Sequence, residues 1–459
     1  MSNKPYARKL AEFAAGATFS DLPKEVVHQA RRCLLDTVGV IIAGSAMADS
    51  SKAIQKFVKK MAPQGKASVI GTSQKVEGAY AALANGVAAH ALELDDGSKY
   101  ATYHPGASMI PTALALAEER EATLGDVLLA LALGYEVSLR IGTSVNPSHY
   151  LKGFHPTGTV GTFGTTIVSA SLSGLDADGI TSALGIAGSL ASGINQYEID
   201  GSYVKHLHPG NAARNGIFAT RLAENGFTGP GEIIEGRLGF AHCFSNTFVP
   251  QILYEDLGGR WEFLKIYFKP YCSCRYVHYA VEAVENILKE HPFAADDIDF
   301  VRVRTHQNAK QGSDIPDYQT VLHARLSLQY GMGSMIVRGK AGLQEYTEES
   351  IKDERVRALA SKIAIEEDAE IQKHYPEKRT TIVEITDKRG ETFSSTVDYA
   401  KGDPLNPMSD DDIREKFKDV THTLLEDKQQ EEIMNWIMNE EPTKKTLRNL
   451  MSMLSVNEG

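Results

Sequence analysis

Residues 153–174 read GFHPTGTVGTFGTTIVSASLSG and pass from a His-Pro pair into a run of small and apolar residues. Proline fits the first turn of a helix, where its missing N–H is not needed, so the pattern predicts a helix beginning near Pro156. His155 would then lie at the positive end of the helix dipole. That position favours a neutral imidazole and attracts carboxylates.

The chain carries two more pairs of this kind, His104-Pro105-Gly106 and His208-Pro209-Gly210. Each is expected to be a loop that leads into a helix. Three such loops meeting in space would form a basic pocket for a small acid. A fourth pair, His291-Pro292, lies in a charged, loop-like stretch and is expected to have no functional role.

Helix-like segments rich in Ala, Gly, Ser and Thr dominate the first half of the chain. Small residues allow helices to approach closely, so these segments predict a compact, all-helical domain. Besides the opening stretch, they are 76–93, 108–121, 124–144, 177–193 and 210–226.

The pattern changes after about residue 265. Residues 297–305 alternate as a strand does, and 380–399 predict two strands joined by the turn Asp387-Lys388-Arg389-Gly390. Further helices are expected at 276–290, 320–339, 348–363 and 410–455.

These segments together predict a mainly α fold with two domains. Residues 1–265 and 403–459 would form the large helical domain, because the final helices have no other obvious partner. Residues 266–402 would form a smaller α+β domain, which ends at the Gly- and Pro-containing segment 401–407.

Composition narrows the class of protein. At 459 residues and a formal net charge of -11, the chain lacks the basic surplus of a nucleic-acid binder and any apolar run of about eighteen residues. Residues 1–10 carry charge and lack a signal core, so we expect a cytoplasmic protein without nucleic-acid or membrane partners. No P-loop, G-x-G-x-x-G or G-x-S-x-G occurs, which disfavours nucleotide chemistry and serine hydrolysis.

The first candidate for chemistry is the acidic loop with Glu93, Asp95 and Asp96, which His104 follows. A solvated loop is the ordinary interpretation of such a cluster. Apolar helix-like segments frame it on both sides, however, and this favours buried carboxylates beside an imidazole. No repeated histidine–carboxylate spacing and no C-x-x-C pair occur, so we expect no metal site.

Basic residues supply the complementary groups. Lys205 and His208 flank the predicted start of an alanine-rich helix, where partial burial would let the lysine lose its proton and act as a base. A solvated surface loop is the alternative there. Lys269 and Arg275 are natural partners of substrate carboxylates, and Tyr330 adds a phenol.

Taken together, these motifs resemble the MmgE/PrpD family, whose members act on small polycarboxylates such as cis-aconitate, 2-methylcitrate and iminodisuccinate. The likeness follows the family order along nearly the whole chain. It is carried by AAHALELDDGSKYATYHPGA (88–107), GFHPTGTVGTFG (153–164), KHLHPGNAARNG (205–216), KPYCSCRYVH (269–278), ARLSLQY (324–330) and GDPLNPM (402–408).

The resemblance implies a large helical domain made from both chain ends, a smaller α+β lid domain and a homodimer. It also implies acid–base chemistry next to a carboxylate of a small di- or tricarboxylate, without a metal or an organic cofactor. We expect the following residues to be catalytic: His104, His155, Lys205, His208, Asp95 and Tyr330. We expect these to bind substrate: Lys269, Arg275, Glu93 and Asp96.

The exact reaction is left open by departures from the family pattern. Glu93 stands where an aspartate is more typical, and Gly97 where a threonine is often found. The Asn-Asp-Thr and His-Pro-Ser-Asp-Asn runs of the dehydratases are missing, whereas the His-Pro-Gly-Ala run is nearer to the decarboxylases and epimerases. A lyase is the leading expectation. The alternatives are an epimerase of a small dicarboxylate, a non-catalytic carboxylate-binding protein and, least favoured, a metal-dependent hydratase.

Overall fold

The computed structural model describes residues 4–443 and 446–454, and this part of the chain is mostly helical. The expectation of a mainly α fold is therefore confirmed. The chain divides into two compact units. The first contains the chain up to Ala91, Asp95–Tyr267 and the chain from Ser409 onward, and the second contains Leu92–Leu94 and Phe268–Met408.

Helices and strands are numbered in chain order. The helices are α1 Tyr6–Gly16, α2 Lys24–Met47, α3 Asp49–Met61, α4 Gly78–His90, α5 Gly106–Arg120, α6 Leu124–Val145, α7 Ser148–Leu151, α8 Pro156–Ser173, α9 Ala177–Leu190, α10 Tyr197–Asp200, α11 Val204–Glu224, α12 Phe240–Phe244, α13 Gln251–Tyr254, α14 Arg275–Glu290, α15 Gln307–Ser313, α16 Val321–Leu326, α17 Leu328–Arg338, α18 Glu354–Ala360, α19 Ala369–Gln372, α20 Asp410–Thr421, α21 Asp427–Asn439 and α22 Arg448–Met453. The strands are β1 Ala67–Ser68, β2 Lys75–Val76, β3 Ile298–Thr305, β4 Ile363–Glu367, β5 Thr381–Asp387 and β6 Thr392–Val397.

Helix α8 begins as its sequence predicts. His155 is the N-cap residue and Pro156 occupies the first helical position. The third His-Pro pair differs from the expectation, because His208 and Pro209 lie in the second turn of α11 and not in a loop before it. Proline inside a helix removes one backbone hydrogen bond. The packing of α11 against α4, α5, α8 and α9 outweighs this loss.

The approach of α11 to α4 is unusually close. A Cβ atom added at Gly86 would lie 2.6 Å from the Cα atom of Gly210, so only glycine fits there. Gly210 belongs to the third His-Pro-Gly motif, and Gly86 lies one turn before His90, the last residue of α4. The two glycines therefore bring the second turn of α11 beside the end of α4.

Charged side chains fix the C-terminal helices within the first unit. Helices α20 and α21 pack against α2. The Lys416 Nζ atom of α20 lies 2.7 Å from the Asp36 Oδ1 atom of α2, and both side chains are buried. Helix α20 begins with a capping box of Ser409 and Asp412.

The second unit contains a four-stranded sheet in the order β4-β3-β5-β6. Strand β3 is parallel to β4 and antiparallel to β5, and β5 and β6 form the predicted hairpin. The helix expected at 348–363 is shorter, since only α18 forms, and β4 begins at Ile363 instead. The helix expected at 320–339 is broken at Ser327, whose hydroxyl accepts the Tyr330 N–H and caps α17.

No single described helix is long and apolar enough to cross a membrane. Helices α2 and α3 are long and apolar enough for a membrane span only when they are taken together, and the pair is bent by 85°. Most of α2 is buried inside the first unit.

Candidate functional site

Four imidazoles and a lysine gather in the first unit, at the ends of α4, α8 and α11 and in the loop before α5. We call them the histidine cluster: His90, His104, His155, His208 and Lys205. The ring centroid of His90 lies 5.2 Å from that of His104 and 5.8 Å from that of His155. His155 and His208 are 5.0 Å apart. The structure thus brings the histidines of all three His-Pro-Gly motifs together.

His155 and His208 form a direct hydrogen bond, with their Nδ1 atoms 2.8 Å apart. Such a bond requires one Nδ1 to carry a proton and the other to accept it. Burial holds the pKa of His155 well below its usual range, and the nearby His208, His90, Lys205 and His104 add to the shift. Burial, followed by His90 and Lys205, also lowers the pKa of His208 to about 4. At neutral pH the neutral pair therefore offers one Nε2 lone pair and one Nε2–H.

His104 has a fixed tautomer. Its Nδ1 atom lies 2.6 Å from the Asp96 carbonyl oxygen, which can only accept a hydrogen bond. The proton therefore lies on Nδ1, and Nε2 is the atom that gains or loses a proton. The His104 side chain is 19% exposed, whereas His90 is fully buried, so His104 is open to a small ligand.

Asp95 and Asp96 have different surroundings although they are adjacent. The Asp95 Oδ2 atom lies 2.6 Å from the His90 Nδ1 atom and 3.6 Å from that of His104, so this carboxylate balances charge in the cluster. The two Asp96 carboxylate oxygens accept hydrogen bonds from the Gly106 N–H at 2.8 Å and the Tyr135 hydroxyl at 2.7 Å. Burial raises the pKa of Asp96 to about 7.

Asp96 was expected to bind substrate, and this stays a prediction; in the structure its carboxylate is held by neighbouring groups. Its side chain is fully buried, and both oxygens hold the start of α5 and the Tyr135 ring in place. Its carbonyl orients His104 instead. Asp96 therefore contacts the histidine cluster through its backbone carbonyl oxygen.

Lys205 is buried, with 7% of its surface exposed, which contradicts the alternative of a solvated loop. Its Nζ atom lies 5.8 Å from the centroid of the Tyr197 ring. The same ring lies 5.2 Å from His155 and 5.7 Å from His208. Tyr197 thus lines the cluster on the side of Lys205.

A tyrosine also occupies the position beside Gly97. Gly97 and Tyr267 exchange two backbone hydrogen bonds, of 3.0 and 2.9 Å. A Cβ atom at residue 97 would lie 2.3 Å from the Tyr267 hydroxyl oxygen. The Tyr267 ring lies 6.4 Å from that of His104. The phenol therefore fills the space that a side chain at residue 97 would need, next to an imidazole of the cluster.

Lys269 and Glu93, both expected to bind substrate, lie together in the second unit. The Lys269 Nζ atom is 3.6 Å from the Glu93 Oε2 atom, and both side chains are almost completely buried. Glu93 has a φ of 56°, in the left-handed region that non-glycine residues rarely adopt. Strained residues of this kind concentrate at functional sites.

Two other residues of the second unit have structural contacts that their expected roles do not explain. The Arg275 guanidinium donates hydrogen bonds to the carbonyl oxygens of Lys401 and Ala400, both at 2.8 Å. It thereby holds the backbone of residues 400–401 in place. The Tyr330 hydroxyl donates to the Glu345 carbonyl, and its side chain is fully buried. Burial also raises the pKa of Tyr330, which makes it a poor acid. Substrate binding by Arg275 and catalysis by Tyr330 stay predictions.

Three further residues near the cluster were not predicted from the sequence: His90, Tyr197 and His206. His90 stands alone at the end of an otherwise small and apolar helix, five residues before Asp95, and this isolation was the available signal. The His206 ring lies 6.3 Å from that of His90, and its Nδ1 is 2.9 Å from the Ser50 hydroxyl oxygen. Within residues 4–443 and 446–454, no three His, Cys, Asp or Glu side chains are arranged to hold a metal ion.

Comparison with known proteins gives matches along most of the chain. The MmgE/PrpD N-terminal domain matches residues 8–253, and the MmgE/PrpD C-terminal domain matches residues 271–440. The cis-aconitate decarboxylase-like protein oryM of Aspergillus oryzae is 28% identical, over 95% of this chain and 94% of its own. A cis-aconitate decarboxylase of Aspergillus terreus is 26% identical over 94% and 92%, and that of Homo sapiens 28% over 91% and 88%.

Proposed function

This chain belongs to the MmgE/PrpD family, and from that premise we propose that it is a lyase that releases carbon dioxide from a small tricarboxylate such as cis-aconitate. The observation that carries the proposal is the histidine cluster. It concentrates five groups that can carry protons in one buried place, in a chain whose net charge is -11. The relatives that match this chain over most of their length are named as cis-aconitate decarboxylases or as cis-aconitate decarboxylase-like.

The cluster supplies the two things that decarboxylation needs. Lys205 and the positive end of α8 would hold the carboxylates that the substrate retains. When the carbon–carbon bond to the departing carboxylate breaks, its electron pair stays on the substrate and carbon dioxide leaves. Fixed positive groups in a dry site stabilise the resulting negative charge.

A proton must then reach the substrate carbon. We assign this step to the Nε2–H of protonated His104, because its Nδ1 is already committed to the Asp96 carbonyl and its side chain is the open one. Asp95, 3.6 Å from His104 Nδ1, stabilises the protonated ring. The balance is complete: a tricarboxylate and one proton give a dicarboxylate and carbon dioxide. The neutral pair of His155 and His208 would orient the substrate by hydrogen bonds.

The test is incubation of the purified protein with a panel of di- and tricarboxylates that includes cis-aconitate, followed by mass spectrometry. We expect loss of carbon dioxide with the wild type and a loss of activity of at least about 100-fold in His104→Asn. The matched control is His306→Asn, a buried histidine of the second unit whose ring caps α15; asparagine is also a good cap, so this variant should keep its activity.

Two results would contradict the proposal. The first is no turnover of any polycarboxylate, which is what a non-catalytic binding protein predicts. The second is exchange of a substrate hydrogen with solvent deuterium without loss of mass, which is the result expected of an epimerase. Family membership also leads us to propose a homodimer, which light scattering of the purified protein would test.

A further inference from the structure

Tyr135 of α6 is not used by the proposed reaction, yet its hydroxyl contacts the acidic loop beside the histidine cluster. The side chain is fully buried, and its ring centroid lies 4.4 Å from that of Phe263. A phenylalanine at this position could make the same ring contact. What the tyrosine adds is a buried hydroxyl, which is unfavourable unless it forms a hydrogen bond. The structure gives this hydroxyl a hydrogen bond of 2.7 Å to the Asp96 Oδ2 atom.

Asp96 connects Tyr135 to His104. Its other carboxylate oxygen, Oδ1, accepts the Gly106 N–H at 2.8 Å, and its backbone carbonyl oxygen lies 2.6 Å from the His104 Nδ1 atom. A Cβ atom added at Gly106 would lie 2.7 Å from Asp96 Oδ1 and 2.8 Å from the Tyr135 hydroxyl oxygen, so these groups meet at one point. Because both carboxylate oxygens are held, the Asp96 backbone has little freedom to move away from His104.

The Asp96 carbonyl selects the tautomer of His104. It can only accept a hydrogen bond, so it requires a proton on Nδ1. The Asp95 Oδ2 atom is 3.6 Å from the same nitrogen, which is too long for a hydrogen bond. When Nε2 gives up its proton, the neutral ring that remains is the Nδ1–H tautomer, which the carbonyl stabilises. A displaced carbonyl would let the ring turn and adopt the other neutral form.

We propose that Tyr135 is a positioning residue for His104: its hydroxyl holds the Asp96 carboxylate, and the Asp96 carbonyl thereby keeps the imidazole in the Nδ1–H form, with Nε2 left for the reaction. The hydrogen bond persists when Asp96 takes up a proton, because a neutral carboxyl group can accept from the phenol or donate to it. Control of the tautomer is a property of the folded chain. Only its effect on turnover rests on the proposed function.

Tyr135→Phe tests this role, since it removes the hydroxyl and keeps the ring. NMR of the protein labelled with 15N-histidine measures the tautomer without substrate at pH 8, where an imidazole with the ordinary pKa of about 6.5 is neutral. Loss of a signal in His104→Asn assigns the resonance. We expect the Nδ1–H form alone in the wild type and a mixture of both neutral forms in Tyr135→Phe.

Tyr103→Phe is the matched control. It removes another buried hydroxyl of the first unit, which donates to the Ser138 hydroxyl, from the residue next to His104. This variant should keep the wild-type tautomer. In the activity arm, kcat should fall by about 10-fold in Tyr135→Phe with KM nearly unchanged, and by much less in Tyr103→Phe.

An unchanged His104 tautomer in folded Tyr135→Phe, or the same mixture in Tyr103→Phe, would overturn the inference. So would an Nε2–H form of His104 in the wild type, and this measurement needs no variant to fold. If no polycarboxylate is turned over, the proposed function fails, while the NMR measurement still decides the role of Tyr135.

Discussion

Asp96 makes the stability of the first unit depend on pH. Burial raises its pKa to about 7, and the hydrogen bonds from Tyr135 and Gly106 only partly offset that effect. In the unfolded chain the same carboxyl ionises near its ordinary pKa of about 4. Between about pH 4 and pH 7 the folded state therefore binds more protons at this residue. Stability is lost as the pH rises through this window.

The size of the effect follows from the difference in pKa. About three pKa units correspond to about 4 kcal/mol once Asp96 is ionised in both states. Between pH 5 and pH 8 the contribution changes by about 2.5 kcal/mol. Asp96→Asn abolishes this titration and keeps an oxygen for the Gly106 N–H. The unfolding free energy of the variant minus that of the wild type should therefore rise by about 2.5 kcal/mol from pH 5 to pH 8.

Urea unfolding followed by tryptophan fluorescence at a fixed protein concentration measures this difference. The chain has two tryptophans, Trp261 and Trp436, and both lie in the first unit, so the signal reports on the unit that contains Asp96. Asp411→Asn, an exposed carboxyl in the first turn of α20, is the control and should give a difference that hardly varies with pH. If the difference in unfolding free energy between wild type and Asp96→Asn stays constant from pH 5 to pH 8, the pKa of Asp96 is not raised in the folded state.

Three further predictions concern the same unit. His155→Ala should lower turnover by about 100-fold or more, because it removes a group that orients the substrate; steady-state kinetics below the variant's melting temperature, which a thermal melt provides, measure this loss. Gly97→Thr should destabilise the protein by about 1–3 kcal/mol in urea unfolding, because the threonine side chain collides with the Tyr267 phenol. In a Tyr267→Ala background the same change should cost less, and an equal cost in both backgrounds would argue against the collision. Lys416→Met should cost about 3–5 kcal/mol, since it leaves Asp36 buried without its partner, and a second change of Asp36 to Leu should recover most of that loss.

Local signals in the sequence were sufficient for the long helices of the first half of the chain and for strand β3. The capping box of Thr123 and Asp126 fixes the start of α6, and Asp176 caps α9. The hairpin of β5 and β6 follows from its turn. Strand β4 was missed because its five residues directly follow a helix, and its neighbour β3 is separated from it by more than fifty residues of sequence. Parallel pairing of this kind has no local signature.

The site could be predicted in part for the same reason. The His-Pro-Gly motifs identified His104, His155 and His208, because each motif lies at or near the start of a helix and is visible in a few consecutive residues. The place of His90 beside the other histidines goes with the close approach of α4 and α11, which two glycines permit and no local pattern reveals. Arg275 carries the side chain that carboxylate binding requires, yet nearby backbone carbonyls engage it instead. Residue type alone could not distinguish these two uses.

In the proposed reaction the histidine cluster delivers a proton to carbon as carbon dioxide leaves. Incubation of the wild-type protein with cis-aconitate in deuterium oxide, with carbon dioxide quantified and the product analysed by mass spectrometry, tests it directly. We expect one carbon-bound deuterium in each dicarboxylate product and an equal amount of carbon dioxide, with neither formed by His104→Asn. Recovery of the intact tricarboxylate from the wild type, or equal product from His104→Asn, would contradict it.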